Sequence, residues 1–291
     1  MQMFKLVTDS TTDLPESYYK EHDVDYFCLS CLINGTIYNK QNPITIDDFY
    51  KAIADGAMPT TSQVNPEEAK EAFDEMIKES KNILYLAFSS GLSGTYNSIR
   101  IAAEEVMEEN PDVKIVVIDT LAASMGEGLI LDKAVRLRDE GKSLEEVAEY
   151  IENHKLNLCH VFTADDLMHL YRGGRVKKSA AIVGTIAAIK PMMHVDNEGK
   201  LIPLSKVRGR KKSLAELVNM MEERIGTYRT EKQFEPVFIS HSACPEDAKY
   251  VADLVTGRFG YTDIVISDIG PVIGSHTGIG TVALFFWGDN R

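Results

Sequence analysis

The chain has 291 residues, 44% of them hydrophobic, and acidic side chains outnumber basic ones by 44 to 31, a formal net charge of −13 at pH 7. This acidic excess disfavours nucleic acid and anionic lipid surfaces as partners, and we expect no membrane span because no apolar run reaches the roughly 20 residues that a membrane helix needs. The composition excludes a disordered or fibrous chain, and the length predicts two domains of ordinary size.

The first half alternates predicted strands and helices, which is typical of α/β layers. We predict a mostly parallel sheet with helices on both faces. Asn65 is a predicted helix cap followed by Pro66 at the first helical position, and Ser143 with Glu146 forms a predicted capping box. The predicted strands are residues 4–10, 24–39 (with a turn at Gly35), 82–88 and 113–120, and the predicted helices are residues 14–22, 45–53, 65–80, 94–109, 124–141 and 143–154.

Near residue 156 the series restarts, and the second half predicts an α/β sheet with an antiparallel addition. The addition is a hairpin over residues 190–209, turning at an Asn-Glu-Gly sequence. We therefore predict two domains, residues 1–155 and 156–291, although no Gly-, Ser- or Pro-rich linker marks the boundary. The remaining predictions are a strand leading into a helix over 158–175, helices at 211–225 and 245–259, strands at 236–241 and 263–269, and an apolar segment at 280–288.

Four polar clusters stand at the ends of predicted strands, where the ligand crevice of an open α/β sheet lies. Their hydroxyl groups and the backbone N–H groups at helix starts predict a site for a carboxylate or phosphate held by hydrogen bonds. Serine, threonine and glycine also build caps and turns, so a structural role remains the alternative for each cluster. The clusters are "TDSTTDLP" (8–15), "PTTSQ" (59–63), "SSGLSGT" (89–95) and "GSHTG" (274–278).

Ser93 has two alternative roles, that of a hydrolase nucleophile and that of an anion-binding residue. The sequence "GLSGT" nearly matches G-x-S-x-G, and His276 with Asp119 are candidates for the other members of a hydrolase triad. The alternative is that the Ser93 hydroxyl and nearby N–H groups clamp an anion. No G-x-x-x-x-G-K-[ST] motif occurs, so any ATP is expected on another protein.

Basic residues and cysteines carry weaker signals. Arg172 and Arg175 flank a Gly-Gly pair in "YRGGRVKKS", and a second basic group is "SKVRGRKKS" at 205–213; both favour either helix-end charges or a docking or phosphate surface. Cys28 and Cys31 form a C-x-x-C in a β-rich stretch, which favours buried structural cysteines over a redox site. Four cysteines in so long a chain and the absence of an N-terminal apolar signal core predict a cytoplasmic protein. The seven histidines show no metal-site spacing with cysteine or carboxylate, so no metal is expected.

Seven motifs in order resemble the DegV family, the bacterial fatty-acid-binding family, over almost the whole chain. Any one alone is weak, but together they are specific. They are "VTDSTTDLP", "PTTSQVNPEE", "FSSGLSGTYNS", "VIDTLAASMGEGL", "DLMHLYRGGR", "KPMMHVDNEGKLIPLSKVRG" and "IGPVIGSHTGIGTVALFF".

The resemblance implies a two-domain DegV-like α/β fold with a long-chain fatty acid between the domains, no cofactor and no enzymatic activity of its own. It implies that the acid is presented to a separate ATP-using fatty acid kinase subunit and becomes an acyl phosphate. Arg175 and Arg208 are implied partner or phosphate residues, with Arg172 as the alternative to Arg175. The implied ligand-binding residues are Thr61, Ser62, Ser93, Gly94, Thr95, His276 and Thr277.

Three classes of function follow from these observations. The leading one is a lipid-binding carrier. The second is a serine hydrolase of acyl esters that uses Ser93 as its nucleophile. The third is a lipid-responsive regulatory protein whose ligand changes its contacts with a partner. The sequence leaves the preferred chain length, the unsaturation and the oligomeric state open.

Overall fold

The computed structural model describes residues 4–165, 167–177, 188–229 and 235–291. Among these residues the strands form three sheets, with helices packed against the two larger ones. The strands are β1 (Lys5–Asp9), β2 (Val24–Phe27), β3 (Ser30–Ile33), β4 (Thr36–Tyr38), β5 (Thr60–Ser62), β6 (Asn82–Ala87), β7 (Lys114–Asp119), β8 (Leu158–Thr163), β9 (Ile189–Val195), β10 (Leu201–Arg208), β11 (Val237–His241), β12 (Ile264–Asp268) and β13 (Val282–Trp287).

The helices follow the predicted order. Asn65 accepts a hydrogen bond from Glu67 N before Pro66, and the capping box of Ser143 and Glu146 is complete, so both predicted caps are confirmed. The helices of the described residues are α1 (Glu16–Glu21), α2 (Ile46–Ala54), α3 (Pro66–Met76), α4 (Thr95–Glu109), α5 (Met125–Asp139), α6 (Leu144–His154), α7 (Met168–Arg172), α8 (Arg210–Arg224), α9 (Pro245–Phe259) and α10 (Pro271–Thr277). None of them combines the length and apolar character that crossing a bilayer requires.

A mostly parallel N-terminal sheet was predicted, and the observed sheet is entirely parallel, in the order β2-β1-β6-β7. Its central strand β6 is buried from Ile83 to Ala87, because helices cover both faces. Leu84 and Leu86 belong to the same core as α5 and α6, whereas Ile83 and Tyr85 pack with α3 and α4. Because helices cover both faces of this sheet, only the ends of its strands can contact a ligand.

The C-terminal sheet has six strands in the order β10-β9-β8-β13-β11-β12. The predicted hairpin of residues 190–209 is confirmed as β9 and β10, joined by a turn in which Asp196 N donates to Lys200 O. Only the β11–β12 pair is parallel. The apolar segment at 280–288 supplies β13, which lies antiparallel between β8 and β11.

A third, small antiparallel sheet in the order β4-β3-β5 corrects two predictions. Residues 24–39 are three strands and not one: β2 joins the parallel sheet, while β3 and β4 form a hairpin whose turn residues Asn34 and Gly35 have φ values of 49° and 86°. The chain changes sheet at Leu29, whose N–H donates to Ser10 Oγ. "PTTSQ" is itself strand β5, and so not a loop after a strand.

The two large sheets meet along α5 and along the tip of the β9–β10 hairpin. Helix α5 contacts β6 on one side and β8, β11 and β13 on the other. At the hairpin tip, Ser89 Oγ donates to Gly199 O over 2.8 Å. Position 199 requires glycine for two reasons: its φ is +72°, and a side chain there would collide with Ser89. The parallel sheet lies before residue 155 and the six-stranded sheet after residue 156; the domain boundary at that point stays a prediction.

Candidate ligand-binding cavity

A cavity of about 950 Å³, including its mouth, opens between the two halves of the chain. Most of its wall is apolar and comes from both halves. The large apolar side chains of the wall include Phe88 and Leu92 from the N-terminal half and Phe162, Leu170, Val272 and Phe285 from the C-terminal half.

The cavity wall also carries polar side chains, and we give the name polar end to the part formed by Thr61, Ser93 and His276. Thr61 lies on β5, Ser93 precedes α4, and His276 lies on α10, so three separate elements bring the side chains together. Thr61 Oγ1 and His276 Nε2 are 2.8 Å apart. Two hydroxyl groups and an imidazole are donors suited to a carboxylate or another small anion.

His276 is held in a tight pocket. Its Nδ1 is buried and has no hydrogen-bond partner among the described residues. Burial, together with the nearby Arg175 charge, lowers the pKa of His276 to about 4, so the ring is neutral at pH 7. Gly173 makes this position possible, because a Cβ there would lie only 2.2 Å from Nδ1. The absence of a side chain at Gly173 therefore leaves room for the His276 ring.

Ser93 is oriented by the start of α4. Its Oγ accepts a hydrogen bond from Thr95 N over 3.2 Å and lies 3.0 Å from Thr95 Oγ1. Thr95 is fully buried and lies behind Ser93, where its Oγ1 also accepts from Val64 N. Because Ser93 accepts from the backbone, its own hydroxyl proton can be donated towards the cavity.

Arg175 supplies a positive charge at the cavity wall. Its Nε donates to Leu92 O over 3.0 Å, and its guanidinium also donates to Gly173 O, which ties the Gly-Gly loop to the Ser93 loop. Burial lowers the pKa of Arg175, yet the group stays protonated. Within the described ranges it forms no ion pair, so its charge is available to an anion. Sequence reasoning assigned Arg175 to a partner or a phosphate, and the structure places it against the cavity.

The other predicted site residues divide between the cavity and the surface. Ser62, Gly94 and Thr277 line the cavity, although the Thr277 hydroxyl already donates to Ile273 O. Arg172 and Arg208 are exposed and do not line it. Arg172 lies beside the exposed Met58, and Arg208 ends the edge strand β10.

The cluster "TDSTTDLP" does not line the cavity, which corrects its prediction as part of the ligand site. It builds a buried carboxylate network instead. Thr11 Oγ1 donates to Glu127, Thr8 Oγ1 lies 3.2 Å from the same carboxyl group, and the backbone N–H of Thr11 donates to Asp9. Burial raises the pKa of both carboxyl groups. The hydroxyl groups of this cluster are used internally and none remains for a ligand.

The hydrolase alternative lacks its hydrogen-bonded triad. Ser93 pairs with Thr95, and His276 Nε2 pairs with Thr61. The Asp119 carboxylate accepts from the backbone N–H groups of Ser90 and Leu121. The described residues thus contain no Ser93–His276–Asp119 chain that could activate the serine.

Neither the cysteines nor the potential metal ligands of the described residues indicate a redox or metal site. Cys28 and Cys31 are free thiols, and burial raises the pKa of both, which fits the structural interpretation. Cys31 belongs to the small core beneath β3. In the part of the chain that the structure describes, no group of three or more His, Cys, Asp or Glu side chains is arranged to hold a metal ion.

Sequence reasoning missed several cavity residues, of which His160 is the most unusual. His160 lies on β8, is 2% exposed, and has no partner for either ring nitrogen among the described residues. Gln63 and Ser124 also line the cavity. The only local signal for His160 is a single polar residue in the apolar strand "LCHVFT", which is equally typical of a paired core histidine.

These features define a two-domain α/β protein with a cavity whose wall is largely apolar and partly polar. The chain belongs to the DegV family: a family model described as "Uncharacterised protein, DegV family" matches residues 3–289. A DegV domain-containing protein of Clostridium perfringens is 46% identical over 293 residues, covering 100% of this chain and 99% of the relative.

Solved structures share the fold over nearly the full length. A DegV lipid-binding protein from Thermotoga maritima is 30% identical, with a TM-score of 0.85 and 99% of each chain covered. A DegV family protein from Thermus thermophilus, described as fatty acid binding, is 29% identical, with a TM-score of 0.87 over 98% of this chain and 99% of that one. The predicted family and fold class are confirmed.

Proposed function

We propose that this protein binds a long-chain fatty acid, with the carboxylate at the polar end and the acyl chain along the apolar wall. The observation that carries this proposal is the cavity itself, whose largely apolar wall also presents the hydroxyl groups of Thr61 and Ser93, the His276 imidazole and the Arg175 guanidinium. The fatty-acid-binding relatives of the same fold support it.

The carboxylate is held by a relay of hydrogen bonds. In the proposed arrangement, neutral His276 adopts the tautomer whose Nε2–H donates to Thr61 Oγ1, 2.8 Å away, which leaves the Thr61 hydroxyl proton for one carboxylate oxygen. Ser93 donates to the other oxygen, and the Arg175 charge offsets the loss of hydration. A buried carboxylate needs these bonds, because unpaired burial of a charge is costly.

The acyl chain supplies most of the binding free energy. Each buried CH2 contributes about 0.8 kcal/mol, so a sixteen-carbon chain contributes on the order of 10 kcal/mol before the costs of association. Hydrogen bonds to the carboxylate contribute less, but they fix which end of the ligand lies at the mouth.

Ser62, next to Thr61, lines the cavity and is exposed, which supports an approach to the polar end from solvent. We propose that a separate ATP-using kinase subunit approaches here and transfers a phosphoryl group to the carboxylate oxygen, giving an acyl phosphate and ADP. Exposed Arg172 and Arg208 are the proposed docking residues. The four free cysteines support the reducing cytoplasm as the compartment.

Native mass spectrometry of the purified protein, followed by denaturing extraction, tests the binding proposal. We expect one fatty acid per chain, released without covalent attachment. A protein that retains no lipid, and takes up none when offered palmitate, contradicts the proposal. A covalent acyl adduct on Ser93 instead supports the hydrolase alternative.

Ser93→Ala tests the polar end. Loss of a hydrogen bond to a charged group costs about 1.5–3 kcal/mol, which is roughly a ten- to hundredfold rise in the palmitate Kd. Ser90→Ala is the matched control, because Ser90 lies in the same loop but is exposed and outside the cavity wall. Equal affinities for both variants contradict the assignment of Ser93.

The kinase proposal is tested by trapping acyl phosphate with hydroxylamine. The loaded protein, a fatty acid kinase subunit and ATP are expected to give acyl hydroxamate, and Arg172→Gln with Arg208→Gln to reduce its rate while palmitate affinity is unchanged. The same rate from free palmitate without this protein contradicts presentation of the acid.

A further inference from the structure

The two hydroxyl groups of the polar end come from separate elements, so their spacing depends on how those elements are joined. Thr61 lies on β5, whereas Ser93 lies immediately before α4. A carboxylate that accepts from both hydroxyl groups requires a fixed distance between β5 and the start of α4, because hydrogen bonds depend steeply on distance and angle.

The two residues that follow β5 bind the first turn of α4. Val64 N donates to Thr95 Oγ1 over 3.4 Å, and Gln63 Nε2 donates to Ser98 Oγ over 2.9 Å. Thr95 and Ser98 are both buried, and they are neighbours on the helix surface because they are three residues apart. The end of β5 is therefore fastened to one face of α4 by a backbone group and a side-chain amide.

The Gln63 amide also lies against the residue next to Ser93. A Cβ at Gly94 would collide with Gln63 Oε1, so the amide covers the Cα of Gly94. Gln63 is exposed, yet it lines the cavity together with Ser93 and Gly94. Its amide thus bridges the residue after Ser93 and the first turn of α4 at the cavity mouth.

We propose that Gln63 is a positioning residue for the ligand carboxylate, because it sets the distance between the Thr61 and Ser93 hydroxyl groups. This inference rests on the proposed function of fatty acid binding. Gln63 acts through Ser93, since its own amide is engaged with Ser98 and Gly94. Without that amide, the longer of the two bonds between the end of β5 and α4 remains, and the carboxylate meets the hydroxyl groups in a poorer geometry.

Calorimetric titration of delipidated protein with palmitate tests the inference, with thermal melting to confirm folding. Gln63→Met keeps the length of the side chain and removes the amide, and we expect roughly a three- to tenfold rise in the palmitate Kd. Ser98→Ala removes the other partner of the same bond, so it is expected to give a similar rise. Gln41→Met is the matched control, because Gln41 is exposed and lies outside the cavity wall. Its Kd is expected to equal that of the wild type.

A double-mutant cycle with Ser93→Ala separates positioning from a merely structural role. If Gln63 acts by placing the Ser93 hydroxyl, Gln63→Met causes no further loss of affinity once that hydroxyl is absent. A substitution that loosens the cavity as a whole lowers the affinity equally in both backgrounds. Additive effects in this cycle therefore overturn the inference.

The outcomes also separate this inference from the proposed function. A wild-type protein that binds no palmitate refutes both. Palmitate binding that is unchanged by Gln63→Met and by Ser98→Ala overturns the role of Gln63 and leaves fatty acid binding intact. If Gln63→Met fails to fold, Ser98→Ala decides in its place, alone and in the Ser93→Ala background, because it removes the same hydrogen bond.

Discussion

Gly173→Ala is the substitution for which the structure gives the sharpest expectation. The new Cβ would lie 2.2 Å from His276 Nδ1, whereas ordinary contacts begin near 3.4 Å, so the ring must move by more than 1 Å. The 2.8 Å contact between His276 and Thr61 then breaks, and the relay to the carboxylate with it. The loss of one such hydrogen bond costs about 1.5–3 kcal/mol, a roughly ten- to hundredfold rise in the fatty acid Kd.

The assay is calorimetric titration of delipidated protein with palmitate, accompanied by thermal melting to confirm folding. Gly257→Ala is the matched control, because Gly257 lies within α9 with open space around its Cα. This control is expected to raise stability by about 1 kcal/mol and to leave the Kd unchanged. A folded Gly173→Ala variant with wild-type affinity would show that His276 does not support the carboxylate.

Two further predictions concern stability. Burial raises the pKa of Asp13 to about 7 from 3.8, so the folded protein holds a proton there that the unfolded chain has lost. Relative to Asp13→Asn, wild-type stability is expected to fall by about 1.4 kcal/mol per unit between pH 4 and 7 and to level off above it, and parallel urea-unfolding profiles would contradict this. Ser89→Ala removes the bond to Gly199 O and is expected to cost about 1 kcal/mol in urea unfolding, whereas the exposed Ser90→Ala costs nothing measurable.

The layered fold was predictable because its signals are local. Alternating apolar strands and capped helices specify the parallel sheet, and the Asn-Glu-Gly turn specifies the β9–β10 hairpin. The change of sheet between β2 and β3 has no such signal, because residues 24–33 form a continuous β-rich stretch. The change depends on the contact between Leu29 and Ser10, which are distant in sequence.

The site was predictable where motifs carry it and not where packing does. Ser93, Thr61 and His276 stand in recognisable hydroxyl- and glycine-rich sequences, and the structure brings them to one cavity. His160 is a lone polar residue in a core strand, and only the three-dimensional structure shows that it lacks a partner. The prediction that "TDSTTDLP" belongs to the ligand site was wrong because its threonine hydroxyl groups bind Glu127, which is more than a hundred residues away in sequence.

The central position of β13 has a consequence for the order in which this protein can be made. Strands β8 and β11 are not neighbours until Val282–Trp287 enters between them, and this is the last strand of the described chain to leave the ribosome. The parallel sheet and the helices that cover its two faces lie within residues 5–154, so they can form during synthesis. Ala283 and Phe285 of β13 line the cavity, so the cavity wall is the last part to be completed. In a nascent chain, the first sheet is therefore synthesised before the last strand that the cavity wall requires.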